Sequence, residues 1–245
     1  MQNVYLFCLN DYYSTLFKNK CKNMNVKKIF DKYDILENCH YNNLSIYLGE
    51  LKKDDIVINL INLSSDKKYL KYNLYKSNSV FPLILSFFCK ERGAKYIHLS
   101  NDIFEINNKI NEFTFPETNN DIKLSKILGE YNLGTIIRTN IFDLNNYKQY
   151  IHNYYSNAIT PLELIDKILE LIEKDFYWSG VRHLYSPEKY LLSDIFLHID
   201  QKYKKKYKLI LEDNYNEVIY DSVFNLNYTL KIKNIEEQIK DFFNN

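Results

Sequence analysis

GAKYIHLSNDIFE, residues 93–105, is the stretch of sequence that decides the fold. Residues 94–99 predict a strand, and the polar residues that follow predict a loop where the strand ends. Helix-like and strand-like segments alternate on both sides of it, which predicts an α/β protein with a doubly wound parallel sheet. The flanking predictions are strands at residues 4–9, 26–30, 55–61 and 134–138, and helices at residues 13–20, 44–51, 79–92 and 121–132.

The composition excludes several classes of function. The 245 residues include 32 Lys and Arg against 31 Asp and Glu, a net charge of +1, so no overall field attracts nucleic acid or an acidic membrane. The N-terminal segment does not look like a secretion leader, and no apolar run approaches the roughly 18 residues of a membrane span. The four cysteines and five histidines form no metal-binding spacing, which predicts reduced thiols and no metal. We therefore expect a soluble cytoplasmic protein without nucleic-acid or membrane partners.

The last third of the chain is expected to form a small lobe. Thr160 and Pro161 mark a helix start, with Thr160 as the N-cap and Glu163 as the carboxylate of a capping box. Because no flexible linker precedes this region, we expect it to pack on the same sheet. The predicted division is a nucleotide-binding core at residues 1–142 and a C-terminal lobe at residues 143–245.

Two local patterns have alternative interpretations. Trp178, close to Phe176 and Tyr177, either lines a sugar pocket or belongs to the core. The basic run at residues 203–208 either grips phosphates or is a solvated helix end.

Residues 93–105 resemble the strand and active-site loop of the dTDP-4-dehydrorhamnose reductases, which belong to the extended short-chain dehydrogenase/reductases. The resemblance extends over residues 1–240 and implies a Rossmann-like fold with a C-terminal substrate lobe. It also implies NADP or NAD as cofactor and reduction of a 4-keto nucleotide sugar, as in polysaccharide biosynthesis. The other segments similar to this family, in the same order, are residues 55–59, 66–68, 78, 124–130, 135–139 and 179–184.

The resemblance implies a cofactor site in the turn after the first strand. Glycines in such a turn let the pyrophosphate of a dinucleotide approach the amides of a helix N-terminus. Cys8, Asp11 and Ser14 stand at these positions, and each side chain narrows the turn. The carboxylate of Asp11 would also lie near two phosphate charges. These replacements argue against ordinary dinucleotide binding.

The candidate cofactor contacts in this turn are Asn10, Asp11 and Tyr12. Asp31 follows about 20 residues later, where an acidic residue can hold an adenosine ribose. Its alternative interpretation is a solvated cap after a strand.

Catalysis in the family uses a tyrosine four residues before a lysine. The lysine lowers the pKa of the phenol, which protonates the substrate carbonyl as hydride arrives from the nicotinamide. Lys126 matches the lysine, but Ile122 stands at the tyrosine position and can transfer no proton. The hydroxyl that hydrogen-bonds the carbonyl falls at Asn101, with Ser100 as the neighbouring donor. The candidate catalytic residues are therefore Lys126, Ser100 and Asn101.

The resemblance further implies that Asp102, Phe104 and Arg138 contact the substrate. Lys126 also has a structural interpretation, as a partly buried lysine paired with Glu130 one helical turn later.

The sequence leaves three functions open. The first is a reductase or epimerase of nucleotide sugars, with a site rebuilt around Lys126, Ser100, Asn101 and Asp102. The second is a pseudoenzyme that binds a nucleotide sugar, or regulates an active sugar-modifying enzyme. The third is a reaction without dinucleotide in which Lys126 is the base. A homodimer through the helices at residues 79–92 and 121–132 is a further expectation.

Overall fold

The structure is a computed structural model, and its helices and strands follow the predicted alternation through most of the chain. It describes residues 2–8, 11–21, 24–30, 41–63, 71–104, 107–131, 133–142, 150–152, 154–203, 208–210, 216–224 and 226–244. The strands are β1 (Asn3–Phe7), β2 (Asn25–Phe30), β3 (Ile56–Asn59), β4 (Lys95–Asn101), β5 (Asn107–Ile110), β6 (Thr135–Thr139), β7 (Tyr150–His152), β8 (Tyr154–Ser156), β9 (Gly180–His183), β10 (Tyr190–Leu191), β11 (Lys208–Ile210) and β12 (Asn216–Tyr220). The α-helices are α1 (Asp11–Lys20), α2 (Tyr41–Leu48), α3 (Lys71–Tyr75), α4 (Phe81–Arg92), α5 (Asp121–Gly129), α6 (Pro161–Glu173), α7 (Leu192–Tyr203), α8 (Leu226–Leu230) and α9 (Ile235–Asn244).

A six-stranded sheet in the order β2-β1-β3-β4-β6-β9 is the centre of the fold. β1 is parallel to both β2 and β3, and β3 is parallel to β4. Because β2 and β3 lie on opposite sides of β1, the strand order reverses there, and ligands of such sheets bind outside the carboxyl ends of the strands at this point. The predicted Rossmann-like α/β fold is confirmed.

Burial explains why these strands are largely apolar. All residues of β1 and β3 are buried, as expected for parallel strands covered by helices on both faces. Phe81, Leu85 and Phe88 of α4 lie in the same buried cluster as Tyr5 and Val57 of the sheet. The continuous apolar runs in the sequence therefore reflect a two-sided core.

The predicted helix at residues 79–92 has a more complex start. A π-helical turn (Lys76–Val80) follows α3, and α4 begins only at Phe81. Pro82 lies in the first turn of α4, where its missing N–H is tolerated, whereas inside a longer α-helix it would remove a hydrogen bond. The proline thus favours a new helix start at this position.

The π-helical turn also locates α5. Asn78, in that turn, donates from Nδ2 to Oγ of Ser125 at 3.0 Å and to the carbonyl of Leu63 at 3.1 Å. A Cβ on Gly129 would lie 2.0 Å from the carbonyl oxygen of Asn78, far inside contact distance. Gly129 therefore allows α5 to approach the turn closely.

The described residues group into two compact units that interleave along the sequence. The first contains Met1–Ile103, Thr118–Arg138 and Leu171–Val181, and the second contains Phe104–Glu117, Thr139–Glu170 and Arg182–Asn245. The division into an independent core at residues 1–142 and a lobe at residues 143–245 stays a prediction. Among the described residues, no helix has the length and apolar character needed to cross a membrane.

The second unit contains a four-stranded sheet in the order β10-β8-β12-β5 and a pair formed by β7 and β11. Phe142, Phe196 and Ile239 belong to its buried apolar cluster. These short strands were not predicted from the sequence.

The start of α6 confirms one part of its predicted cap and corrects another. Oγ1 of Thr160 accepts a hydrogen bond from the N–H of Glu163 at 3.3 Å, as an N-cap does. The reciprocal bond of a capping box is absent from the hydrogen bonds described for these residues, because the Glu163 carboxylate accepts from the N–H of Lys233 at 3.1 Å. The N–H of Thr160 donates instead to Gln238 at 2.9 Å. Lys233 and Gln238, which are distant in sequence, thus form the hydrogen bonds that a capping box would form between Thr160 and Glu163.

Candidate functional site

The carboxyl ends of β3 and β4 hold the candidate catalytic residues. In the parallel register of these two strands Asn59 lies opposite His98, and both chains then continue into the loops beyond the sheet. Ser100 and Asn101 end β4, and Asp102 follows with a φ of 52°, a left-handed conformation that turns the chain sharply. This edge of the sheet is where the strand order predicts a ligand.

Lys126 reaches this edge from α5. Its side chain is 4% exposed, and Nζ donates to the carbonyl of Asn101 at 3.2 Å. Nζ also lies 4.0 Å from a carboxylate oxygen of Asp102, whose side chain is 67% exposed. Burial lowers the pKa of Lys126, an effect that Asp102 opposes and Lys123 reinforces. Lys126 is thus hydrogen-bonded to the last residue of β4.

The alternative pairing of Lys126 with Glu130 is wrong. Glu130 accepts from Nε of Arg138 at 2.9 Å and from a second guanidinium nitrogen, a two-point contact between side chains that are 5% and 7% exposed. A planar guanidinium matches a carboxylate better than an ammonium does, so Arg138 outcompetes Lys126 for this partner. Arg138, a candidate substrate contact, is therefore engaged in a buried ion pair.

Two buried polar atoms near Asn101 have no hydrogen-bond partner within the described part of the chain. One is Oγ of Ser100, a residue that is 1% exposed, and the other is Oδ1 of Asn62. Nδ2 of Asn62 donates to Oδ1 of Asn101. An unsatisfied buried polar group costs about 1–3 kcal/mol, so a ligand that supplies a partner gains that much. Sequence reasoning missed Asn62, although a polar residue just beyond a buried strand is a signal for such a site.

Ile122 lies on α5 one helical turn before Lys126. Asn120 caps α5 by accepting at Oδ1 from the N–H of Ile122 at 2.9 Å, so Ile122 lies in the first turn. It precedes Lys126 by four residues and shares its helix face. Its aliphatic side chain is half-buried and has no ionisable group.

A hydrogen-bond network beneath the site fixes the end of β3. Asn59 is fully buried, and its Nδ2 contacts the hydroxyl of Tyr96 and Nδ1 of His98, each at 3.2 Å. Its Oδ1 accepts from the N–H of Ile61 at 3.0 Å, which fixes the amide orientation and makes Nδ1 of His98 the acceptor. Burial lowers the pKa of His98 to about 4, so the ring is neutral at physiological pH. The network holds the strand end that leads to Asn62.

Cys8 and Ser14, at two of the positions where the resemblance implies glycines, lie on either side of the turn after β1. Both are buried, at 3% and 8% exposure. Asp11 is the first residue of α1. Tyr12 is half-buried in α1 with its ring 6.1 Å from that of Tyr13.

The remaining predicted residues are not brought to this edge by any described contact. Phe104 lies in the second unit, buried with its ring 5.9 Å from that of Tyr220. Asn10 and Asp31 lie outside the described residues. Within the described ranges no three His, Cys, Asp or Glu side chains are grouped to hold a metal ion.

Comparison with known proteins identifies the fold. No protein-family model and no curated protein matches this sequence. A dTDP-4-dehydrorhamnose reductase from Clostridium acetobutylicum is 19% identical, with 99% of both chains covered and a TM-score of 0.77. The dTDP-4-dehydrorhamnose reductase from Bacillus anthracis, solved in complex with NADP, is 16% identical, with 99% of both chains covered and a TM-score of 0.75.

A viral structure extends the same likeness. The UDP-rhamnose synthase from Acanthamoeba polyphaga mimivirus is 12% identical, with 98% of this chain and 97% of that chain covered and a TM-score of 0.74. At these identities the likeness concerns the fold. The chain therefore has the fold of the dTDP-4-dehydrorhamnose reductases and related extended short-chain dehydrogenase/reductases, as residues 93–105 predicted.

Proposed function

We propose that this chain binds a nucleotide sugar at the carboxyl edge of β3 and β4 and does not itself reduce it. The observation that carries the proposal is Ile122, which stands one helical turn before Lys126 where the chemistry needs a proton donor. On this proposal the protein is a cytoplasmic sensor of nucleotide sugars, or a subunit that regulates an active sugar-modifying enzyme.

The polar groups of the edge are suited to a sugar. A lysine ammonium has three donors, of which the Asn101 carbonyl takes one from Lys126 and the Asp102 carboxylate is at the limit of reach for another. Ser100 can donate or accept through its hydroxyl, and Oδ1 of Asn62 can accept. Sugar hydroxyls both donate and accept, so they can form hydrogen bonds with Lys126, Ser100 and Asn62 together.

NADP or NAD is the cofactor that the fold family implies. We expect the sequence of the turn to oppose it, because a carboxylate at position 11 would repel a phosphate, and Cys8 and Ser14 are buried side chains where the resemblance implies glycines. We therefore propose that either dinucleotide binds more weakly than a nucleotide sugar.

Parallel titrations of the purified chain with dTDP-glucose, UDP-glucose, NADPH and NADH, followed by melting temperature, test this proposal. A nucleotide sugar at a hundred times its dissociation constant is expected to stabilise the protein by about 2.7 kcal/mol, or several degrees. Lys126→Met should weaken that binding about 10- to 100-fold, because it removes a charged hydrogen-bond donor. The matched control Lys52→Met alters an exposed lysine and should bind normally.

The titration has two outcomes that contradict the proposal. If neither nucleotide sugar changes the melting temperature, the edge is not a nucleotide-sugar site. If NADPH binds tightly and a 4-keto nucleotide sugar is turned over, the second candidate is correct. That candidate is a divergent nucleotide-sugar reductase or epimerase, and it is favoured by one observation, the Asp102 carboxylate 4.0 Å from Nζ of Lys126.

A homodimer is part of the proposal. Val80, Leu83, Phe87, Leu124 and Leu128 are large apolar residues at 36–46% exposure, on the π-helical turn and the adjacent helices α4 and α5. A two-fold axis would pair this face with itself, giving four packed helices. Light scattering should find a dimer for the native chain and a monomer for Phe87→Asp/Leu128→Asp with little change in melting temperature. A monomeric native chain would refute the homodimer.

A further inference from the structure

A cavity lies at the opposite, amino edge of the central sheet, within the first unit. It has a volume of about 190 Å³ and opens to solvent. Its walls come from the last turns of α4, the first residues of β4 and β6, and the segment before β9 that holds Tyr177 and Trp178. The candidate functional site, by contrast, lies at the carboxyl ends of β3 and β4.

Small residues create this cavity. Ser86, Cys89, Ala94, Gly134 and Thr135 all line it. A Cβ on Gly134 would lie 2.3 Å from Cδ1 of Tyr96, so only glycine can lie this close to the ring. An apolar cavity of about 150 Å³ can hold a benzene ring, so the volume suits one ring with a small substituent.

Most uncharged polar groups of the lining already have partners, and the exception among the described residues is the buried hydroxyl of Tyr177. Oγ1 of Thr135 donates to the carbonyl of Trp178 at 2.7 Å and accepts from its N–H at 3.1 Å. Nε1 of Trp178 donates to Gly180 at 2.9 Å, and Oγ of Ser86 donates to Leu83 at 2.8 Å. A sugar would lose the hydration of several hydroxyls here and could regain a hydrogen bond at only one uncharged side chain, the hydroxyl of Tyr177. This argues against the interpretation of Trp178 as part of a sugar pocket.

Two lysines place positive charge at the rim of the cavity. Lys90 and Lys95 both line the cavity, and Nζ of Lys95 lies 5.2 Å from the ring centroid of Tyr177. Within the described residues neither lysine is in an ion pair, and no acidic side chain lines the cavity. The two ammonium groups would repel a cationic ligand and attract an anion.

We infer that this cavity binds a single planar ring that carries a negative charge, such as an aromatic carboxylate. The ring packs between Tyr96 and the wall of Tyr177 and Trp178, where stacked or edge-on aromatic contacts are favourable. The carboxylate faces the ammonium groups of Lys90 and Lys95. The cavity is a second ligand site, separate from the proposed nucleotide-sugar site.

The chemistry of the lining favours binding over reaction. Cys89 is the nucleophile in the cavity, and it is 1% exposed. Burial raises the pKa of its thiol strongly, so the thiolate that would attack a ligand is not populated near neutral pH.

Trp178 provides a direct test because it is the single tryptophan of the chain. Titration with benzoate is expected to change its fluorescence saturably, with a dissociation constant on the order of 1 mM, as is common for a one-ring ligand. Benzamide, which has no charge, and cyclohexanecarboxylate, which has no planar ring, should each bind more weakly. Lys95→Met should weaken benzoate binding by about fivefold.

Two variants complete the test. Ala94→Leu places a larger side chain in the cavity from a half-buried position and should abolish the saturable change, whereas Lys240→Met, on the exposed face of α9, should leave it intact. A linear response to benzoate without saturation, an unchanged affinity in Ala94→Leu, or equal binding of benzamide would overturn the inference. Since neither lysine nor Trp178 belongs to the proposed nucleotide-sugar site, failure here leaves that proposal unaffected.

Discussion

Installing a tyrosine at position 122 is expected to create measurable reduction of a 4-keto dTDP-sugar by NADPH, provided that Asp11 is also replaced by glycine. Ile122 precedes Lys126 by four residues on α5, so a phenol at this position would lie on the helix face of the buried lysine. A nearby ammonium favours the phenolate and tunes the phenol as a proton donor. A positioned general acid contributes about 10²- to 10⁴-fold.

The measurement compares NADPH oxidation by Asp11→Gly/Ile122→Tyr with that by Asp11→Gly/Ile122→Phe. The phenylalanine variant is the matched control because it adds the same ring without the hydroxyl. The tyrosine variant should oxidise NADPH about 10²- to 10⁴-fold faster than the phenylalanine variant. Its rate should fall at high pH, because the phenol then ionises and can no longer donate a proton. Equal rates in the two variants, with NADPH bound in both, would show that the helix no longer presents residue 122 to the substrate.

Breaking the ion pair between Arg138 and Glu130 is expected to destabilise the protein severely. Replacing Arg138 with methionine leaves the Glu130 carboxylate at 7% exposure without its cation, and loss of one partner of a buried pair costs about 3–5 kcal/mol. Urea unfolding should show this as a lower midpoint with an unchanged slope.

The double variant Arg138→Met/Glu130→Leu separates a structural role from substrate binding. Because a well-packed apolar pair can replace a buried ion pair at little cost, the double variant should regain most of the lost stability. Lys27→Met removes an exposed pair with Glu50 and should cost at most about 1 kcal/mol. If Arg138→Met is as stable as the native chain but loses nucleotide-sugar binding, Arg138 is a substrate contact after all.

The central sheet was predictable because its signal is local. Residues 55–61 and 94–99 are mostly apolar, and burial on both faces of a parallel strand favours this composition. The second unit gave no such signal. Its strand β5 reads Asn-Asn-Lys-Ile, and pairing with β12, more than 100 residues away, determines its conformation.

The candidate site was predictable in position and less so in its contacts. The approach of Lys126 to the loop after β4 follows from the order of strands and helices. The pairing of Glu130 with Arg138 does not follow from that order. Arg138 lies on a strand whose distance from α5 depends on tertiary packing. The position of Asn62 just beyond a buried strand was a sequence signal, and the structure adds that its Oδ1 is buried without a partner among the described residues.

The close contact at Gly129 has a consequence for redesign of this protein. Gly129 lies three residues after Lys126 on α5, and its missing side chain sets how near the helix lies to Asn78. Any larger residue there would displace the helix, and Lys126 would move with it relative to Asn101 and Asp102. A library meant to alter ligand preference should therefore vary Asn62 and Ser100 while keeping Gly129 constant, since position 129 changes the alignment of the site without contacting any ligand.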